Sequence, residues 1–247
     1  MTDRERIDKL MVRRQLAGSR ERARALIMAG RVLVDERPVD KAGTQIDSEA
    51  TIRLKGEDIP YVSRGGLKLA RALEVFQVTV AGRVALDVGA STGGFTDCLL
   101  QNGARKVFAV DVGYGQLAWK LRDDQRVVNL ERTNIRHLAA DQLDETPHLA
   151  VIDASFISLA KVLPATLAHL QPASDIIALI KPQFEVGKGQ VGKGGVVRDP
   201  EQHLQVIENI KLIADTSGCQ VVSTCESPIL GPKGNREFLI HLRTGRL

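Results

Sequence analysis

The stretch Val84-Ala-Leu-Asp-Val-Gly-Ala-Ser-Thr-Gly-Gly-Phe-Thr-Asp97 constrains this chain more than any other. An apolar run leads into a glycine turn, and the pattern of a helix follows. This arrangement places a nucleotide-like ligand at the edge of a parallel sheet. Glycines allow the backbone to approach such a ligand because no Cβ intervenes.

The acids narrow the ligand. Asp87 ends the strand, Asp97 lies just inside the helix, and Lys106-Val-Phe-Ala-Val-Asp111 is a second strand ending in an acid. Asp111 stands 22 residues beyond Gly89, about where a ribose-binding acid belongs. A dinucleotide would bring a pyrophosphate, which Asp87 repels. S-adenosylmethionine brings an ammonium and a sulfonium, which carboxylates attract. The glycines also miss the G-x-G-x-x-G spacing, since Gly89 is followed by Gly93 and Gly94. A methyl donor therefore fits better than a nicotinamide.

With 247 residues, 43% of them hydrophobic and 26% charged, the chain has room for one large domain and one small one. The net charge of +4 leans towards an anionic partner, and residues 1–31 hold nine Lys/Arg against four Asp/Glu. Three cysteines without C-x-x-C spacing suit a reducing, cytoplasmic setting. Five scattered histidines form no metal motif, so no protein-ligated metal is expected. The polar N-terminus resembles no signal peptide, and no apolar run exceeds six residues, so stable membrane association is not expected.

Residues 4–60 read as a compact module. The pattern predicts a helix through about Arg14, then a second one capped by Ser19 and stopped by Gly30. A strand pair around Val32, Val34 and Val39 and a further strand at Thr51–Lys55 follow. The run Ile7-Asp-Lys-Leu-Met-Val-Arg-Arg-Gln-Leu-Ala-Gly-Ser-Arg20, with Ala25-Leu-Ile-Met-Ala-Gly-Arg-Val-Leu-Val34, resembles an S4 RNA-binding domain. That resemblance implies RNA contact through Arg13, Arg14, Arg20, Arg24 and Arg31.

Residues 61–82 read as a linker and entry helix, and residues 83–247 as the second domain. Strands are expected near 83–88, 106–111, 126–130, 148–153 and 175–180, with helices near 93–102, 115–122, 158–170 and 200–216. Two last strands, 220–225 and 237–242, have no helix between them, which suggests an antiparallel ending. The expected fold is α/β: a seven-stranded, Rossmann-like class I methyltransferase domain preceded by a small α+β S4-like RNA-binding domain.

Asp153-Ala-Ser-Phe156 stands where amine methyltransferases carry Asn/Asp-Pro-Pro-Tyr/Phe, and it lacks the prolines. None of Cys98, Cys219 and Cys225 follows a proline or a strand end, which argues against a cysteine nucleophile for base methylation. What the chain offers instead is acid and amine at strand ends: Asp153, Lys181 and Glu237, with Lys68 upstream in Ser63-Arg-Gly-Gly-Leu-Lys68. Ligands of open α/β sheets bind at those carboxyl ends.

This Lys-Asp-Lys-Glu set resembles that of the ribose 2′-O-methyltransferases related to FtsJ/RrmJ. Across nearly its whole length the chain is similar to the TlyA family of rRNA (cytidine-2′-O)-methyltransferases, whose members also go by the name of haemolysins. Ile180-Lys-Pro-Gln-Phe-Glu185, Glu131-Arg-Thr-Asn134 and Asn235-Arg-Glu237 add to the stretches above. The resemblance implies catalytic Lys68, Asp153, Lys181 and Glu237. It implies a methionine site at Gly89, Ala90, Ser91, Thr92, Gly93 and Gly94 with Asp87, a ribose acceptor in Asp111, and an adenine-side contact in Asn134. The cofactor would be S-adenosyl-L-methionine, and the partner rRNA or a ribosomal subunit.

A 2′-hydroxyl is a poor nucleophile at neutral pH and needs a group that takes its proton. Lys181 is the expected base, its ammonium disfavoured by a neighbouring Lys68, with Asp153 and Glu237 orienting the two amines. Gly187-Lys-Gly-Gln-Val-Gly-Lys-Gly-Gly195 matches G-x-x-x-x-G-K, but Gly194 stands where a P-loop needs Ser or Thr. It reads better as a basic loop reaching RNA phosphate through Lys188 and Lys193, with Arg64 as a further RNA contact. A non-catalytic assembly factor would predict an eroded tetrad. A membrane-active haemolysin would need an amphipathic or spanning segment that is not evident. The short ending after the last strand leans towards action on the large subunit alone.

Overall fold

The computed structural model describes residues 4–55, 59–187, 189–192 and 194–245. The chain divides into two compact units at the boundary between residues 58 and 59.

In the smaller unit, β1 (Arg4–Arg6) runs into α1 (Ile7–Arg13), followed by α2 (Arg20–Met28), β2 (Val32–Val34), β3 (Arg37–Pro38), β4 (Gln45–Asp47) and β5 (Ile52–Leu54). Residues 4–6 are extended rather than helical, because they pair antiparallel with β4. Ser19 caps α2 by accepting from the Arg22 N–H, and Gly30 follows the helix with φ +66. β2 lies between β3 and β5. Ile7, Leu10 and Met11 from α1 and Ala23, Leu26 and Ile27 from α2 pack with Val32 and Ile46 into one core.

The larger unit opens with α3 (Gly65–Phe76). Then follow β6 (Val84–Val88), α4 (Gly94–Gln101), β7 (Lys106–Val110), α5 (Trp119–Arg122), β8 (Val127–Leu130), β9 (Leu149–Ile152) and α6 (Leu159–Leu167). The chain ends with β10 (Asp175–Ile180), α7 (Pro182–Glu185), α8 (Pro200–Thr216), β11 (Cys219–Glu226) and β12 (Phe238–Thr244). α3 packs on α4 and β12, so residues read as linker and entry helix belong in part to this unit. The sheet order is β11-β12-β10-β9-β6-β7-β8, parallel except for β12, which runs antiparallel to both neighbours.

Strand alternation divides the core. Val84, Leu86 and Val88 face α6 and α8, whereas Ala85 lies among the residues of α3 and α4. The helix expected over 115–122 is reduced to the four residues of α5. Gly113 and Gln116 instead give their N–H groups to Asp111 and Glu131, so the segment before Trp119 is a loop. α6 ends at Leu167, three residues earlier than its pattern predicts.

Candidate active site

The carboxyl ends of β6, β7 and β9 open into two adjoining clefts of about 430 and 460 Å³, and Lys181, at the end of β10, lines neither of them. Gly89, Ser91 and Asp153 line both. The first extends over Lys68, Thr92 and Phe95 to Leu230 and Gly231. The second runs along Asp111, Gln116, Asn134 and Phe156.

Lys68, Asp153, Lys181 and Glu237 form two ion pairs. Lys68 Nζ lies 2.5 Å from Glu237 Oε2, and Lys181 Nζ lies 2.5 Å from Asp153 Oδ1. Lys181 also donates to Ser155 Oγ at 2.7 Å and to the Asp153 carbonyl at 3.3 Å. Each lysine thus meets a carboxylate, Lys68 with Glu237 and Lys181 with Asp153. Glu237 is buried and its Oε1 has no hydrogen-bond partner among the described residues. A side chain at Gly231 would collide with that carboxylate, so a glycine there lets Glu237 reach Lys68.

The cofactor candidates separate into lining and supporting residues. Gly89, Ala90, Ser91, Thr92 and Gly94 line the first cleft. Gly89 has φ +87, and a Cβ there would stand 2.8 Å from the Asp153 carbonyl oxygen. Gly93 (φ +91) is buried under Leu117 and Leu121 and serves the turn from behind. Asp111 accepts from the N–H of Ser91 at 2.8 Å and of Gly113 at 2.6 Å, which aims its carboxylate along the second cleft. Asn134 lines that cleft and also caps the following turn through the Arg136 N–H. Asp87 is wholly buried beneath the turn and lines neither cleft. Asp97 holds the Val62 N–H and Lys120, so it acts on the scaffold.

Several contributors lie inside stretches that the sequence singled out, but their roles did not follow from the sequence. Ser155 anchors Lys181. Glu131 pairs with Arg122 and accepts from the Gln116 N–H, shaping the loop beside Asp111. Phe156 is 90% exposed with φ +64, an uncommon backbone for an aromatic residue, and meets Phe184 at a ring distance of 5.0 Å. Asn235 holds the Val197 N–H and the Gly195 carbonyl, tying the glycine-rich segment to the approach of β12. Burial pushes the Cys98 thiol up to about 12 and raises Cys219 and Cys225 too, which leaves no thiolate nucleophile. No cluster of three metal-ligating side chains occurs among the described residues.

The candidate RNA-binding arginines carry structural duties. Arg14 donates to the Ala50 and Ser48 carbonyls, and Arg31 to the Lys55 carbonyl at 3.0 Å. Arg20 and Arg24, with Arg6, converge on the buried Asp8 at 2.9–3.3 Å. Arg13 pairs with Glu5. Arg64 lines the first cleft and donates to the Leu230 carbonyl at 3.1 Å. Lys188 and Lys193 lie outside the described residues.

Residues 61–244 match the model of the FtsJ-like methyltransferases, and residues 5–52 that of the S4 domain. The 16S/23S rRNA (cytidine-2′-O)-methyltransferase TlyA of Mycobacterium tuberculosis is 50% identical over 245 residues, 99% of this chain and 91% of that protein. The 23S rRNA (cytidine-2′-O)-methyltransferase TlyA of Campylobacter jejuni is 37% identical over 182 residues, 73% of this chain and 70% of that protein. A solved structure from Streptococcus thermophilus, provisionally described as a hemolysin, is 45% identical with a TM-score of 0.77. It covers 99% of this chain and 90% of its own.

Proposed function

This chain belongs to the FtsJ-like methyltransferases that carry an S4 domain, within the TlyA group, and from that premise we propose that it transfers a methyl group from S-adenosylmethionine to a cytidine 2′-oxygen of rRNA. The observation that carries this reading is the pairing of Lys181 with Asp153 and of Lys68 with Glu237 beside a cleft floored by a glycine turn. The donor's charged methionine end suits the first cleft, and its ribose hydroxyls suit Asp111 as acceptor in the second. Lys181, once its ammonium has given a proton to solvent, takes the proton of the 2′-hydroxyl as the oxygen attacks the sulfonium methyl in line. The S–C bond breaks as the O–C bond forms, and no covalent enzyme intermediate arises. Asp153 and Ser155 hold Lys181 in place, while Glu237 holds Lys68. Holding the reactants aligned supplies several kcal/mol of the barrier reduction.

The S4 unit supplies cationic side chains that ride on a buried acid, a rigid arrangement suited to phosphate. Large-subunit RNA is common to the names of both TlyA relatives, which makes it the first substrate to test. Purified protein, tritiated S-adenosylmethionine and unmodified 30S and 50S particles are incubated separately. Label in 50S RNA, at a ribose that resists alkaline cleavage, is the expected result. Label in both subunits keeps the chemistry and widens the substrate. Label in neither, with donor binding intact, defeats the rRNA reading.

Gly89→Ala tests the turn. A Cβ there meets the Asp153 carbonyl and disfavours the positive φ. Donor affinity is expected to fall about tenfold, roughly 1.4 kcal/mol, by calorimetry.

A further inference from the structure

Asp87 is a buried acid with no place in the mechanism above. Period-two alternation along β6 sends its side chain to the face of Ala85, under α4 and the turn Gly89–Gly94. It has no solvent exposure. Its Oδ2 accepts from Thr96 Oγ1 at 2.6 Å, and its Oδ1 has no hydrogen-bond partner among the described residues.

The surroundings offer no counter-ion among the described residues. α4 contributes Thr96 and the neutral thiol of Cys98. The loops after β7 and β9 contribute further negative charge from Asp111 and Asp153. Nearby lysines are committed elsewhere: Lys181 to Asp153, and Lys68 of α3 to Glu237. α3 also carries Arg71, which pairs with Glu74 at the surface. Loss of solvent is the main cause that raises the Asp87 carboxyl to about 7, the two acids add to it, and the Thr96 hydrogen bond opposes it. Such a group is poised to respond to a cation placed on the turn above it.

We propose that Asp87 senses the charge of the cofactor: it gives up its proton when the sulfonium donor binds and regains one when the donor becomes the neutral thioether, favouring donor over product. This rests on the methyl-donor reading of the cleft. The donor's methionine end carries one positive charge more than the product's, and a poorly solvated carboxylate feels that difference strongly. The proton of Asp87 exchanges with solvent and is separate from the 2′-hydroxyl proton. After transfer the sulfur keeps the electron pair of the broken S–C bond, the attraction is lost, and reprotonation of Asp87 loosens the product.

Calorimetry on the full chain tests this. S-adenosylmethionine and S-adenosylhomocysteine are titrated at pH 7 in two buffers of different ionisation enthalpy. Donor binding is expected to release about half a proton, and product binding clearly less. Between pH 6 and pH 8 donor affinity should rise about tenfold while product affinity changes little. Asp87→Asn keeps the acceptor for Thr96 and removes the charge. It should flatten the donor's pH dependence and bring the two affinities together. Equal proton release by both ligands in the unaltered protein overturns the proposal without needing the variant. So does an equal loss of both affinities in Asp87→Asn. Failure of the unaltered protein to bind either ligand overturns the methyl-donor reading itself.

Discussion

Lys181→Ala is expected to lower methyl transfer by about 10²- to 10⁴-fold, the range for loss of a positioned general base. Donor binding and the fold should be retained, because Lys181 sits at the lip of β10 and not under the cofactor turn. The amine holds three oxygens: Asp153 Oδ1, Ser155 Oγ and the Asp153 carbonyl. Removing it leaves Asp153 facing the cleft with an uncompensated charge, which penalises RNA approach as well as chemistry. Lys181→Arg separates the two effects. Arginine restores a cation beside Asp153 but does not lose its proton in a protein. Activity that stays low in Lys181→Arg, at unchanged donor Kd, identifies proton removal as the lost contribution. Near-normal activity in Lys181→Arg assigns Lys181 an electrostatic role instead. Single-turnover transfer to 50S particles reads the difference.

The second large effect falls in the smaller unit. Asp8 is fully buried on α1 and receives Arg6, Arg20 and Arg24. The Arg6 hydrogen bond, above all, holds its carboxyl well below the usual carboxylate range, and Arg20 and Arg24 add to it. Breaking a buried pair costs about 3–5 kcal/mol. Here the guanidinium groups are partly exposed, which screens the loss, so about 2–3 kcal/mol is expected for Asp8→Asn. The sign with pH follows from the lowered folded value. The stabilisation is complete above the unfolded carboxyl value near pH 4 and is lost as pH falls below it towards the folded value. Urea unfolding should therefore show a gap between the two proteins at pH 7 that closes in strong acid. A gap of the same size at both extremes would assign the effect to packing. RNA affinity should fall with the gap, because the three arginines lose their common anchor.

Much of this architecture could be read from periodicity. β10 and α8 were expected at the bounds they adopt, and the other strands of the larger unit lie within two residues of expectation. Their signals are local: continuous apolar runs for strands buried on both faces, and apolar residues at helical spacing for α8. The failures have local causes too. Residues 115–118 carry a helical pattern, yet acceptors on Asp111 and Glu131 capture the nearby N–H groups and hold a loop. Residues 4–6 lack any strand pattern of their own and are extended because β4 is available to pair.

The sequence alone determined the strand-turn-helix of residues 84–101, the acids that end β6 and follow β7, and the chemical identity of the three polar residues at strand ends and of Lys68 upstream of them. These depend on neighbours a few positions apart, where spacing and residue type suffice. Only the tertiary structure decided which charges meet. Lys68 and Glu237 are separated by 169 positions, and their pairing exists because α3 packs beside β12. It also withdrew Arg14 and Arg31 into backbone contacts, gathered Arg20 and Arg24 on Asp8, and buried Asp87 without a counter-ion among the described residues. The free energy of a charge depends on its solvent and on partners brought from afar, and neither is encoded in a local pattern.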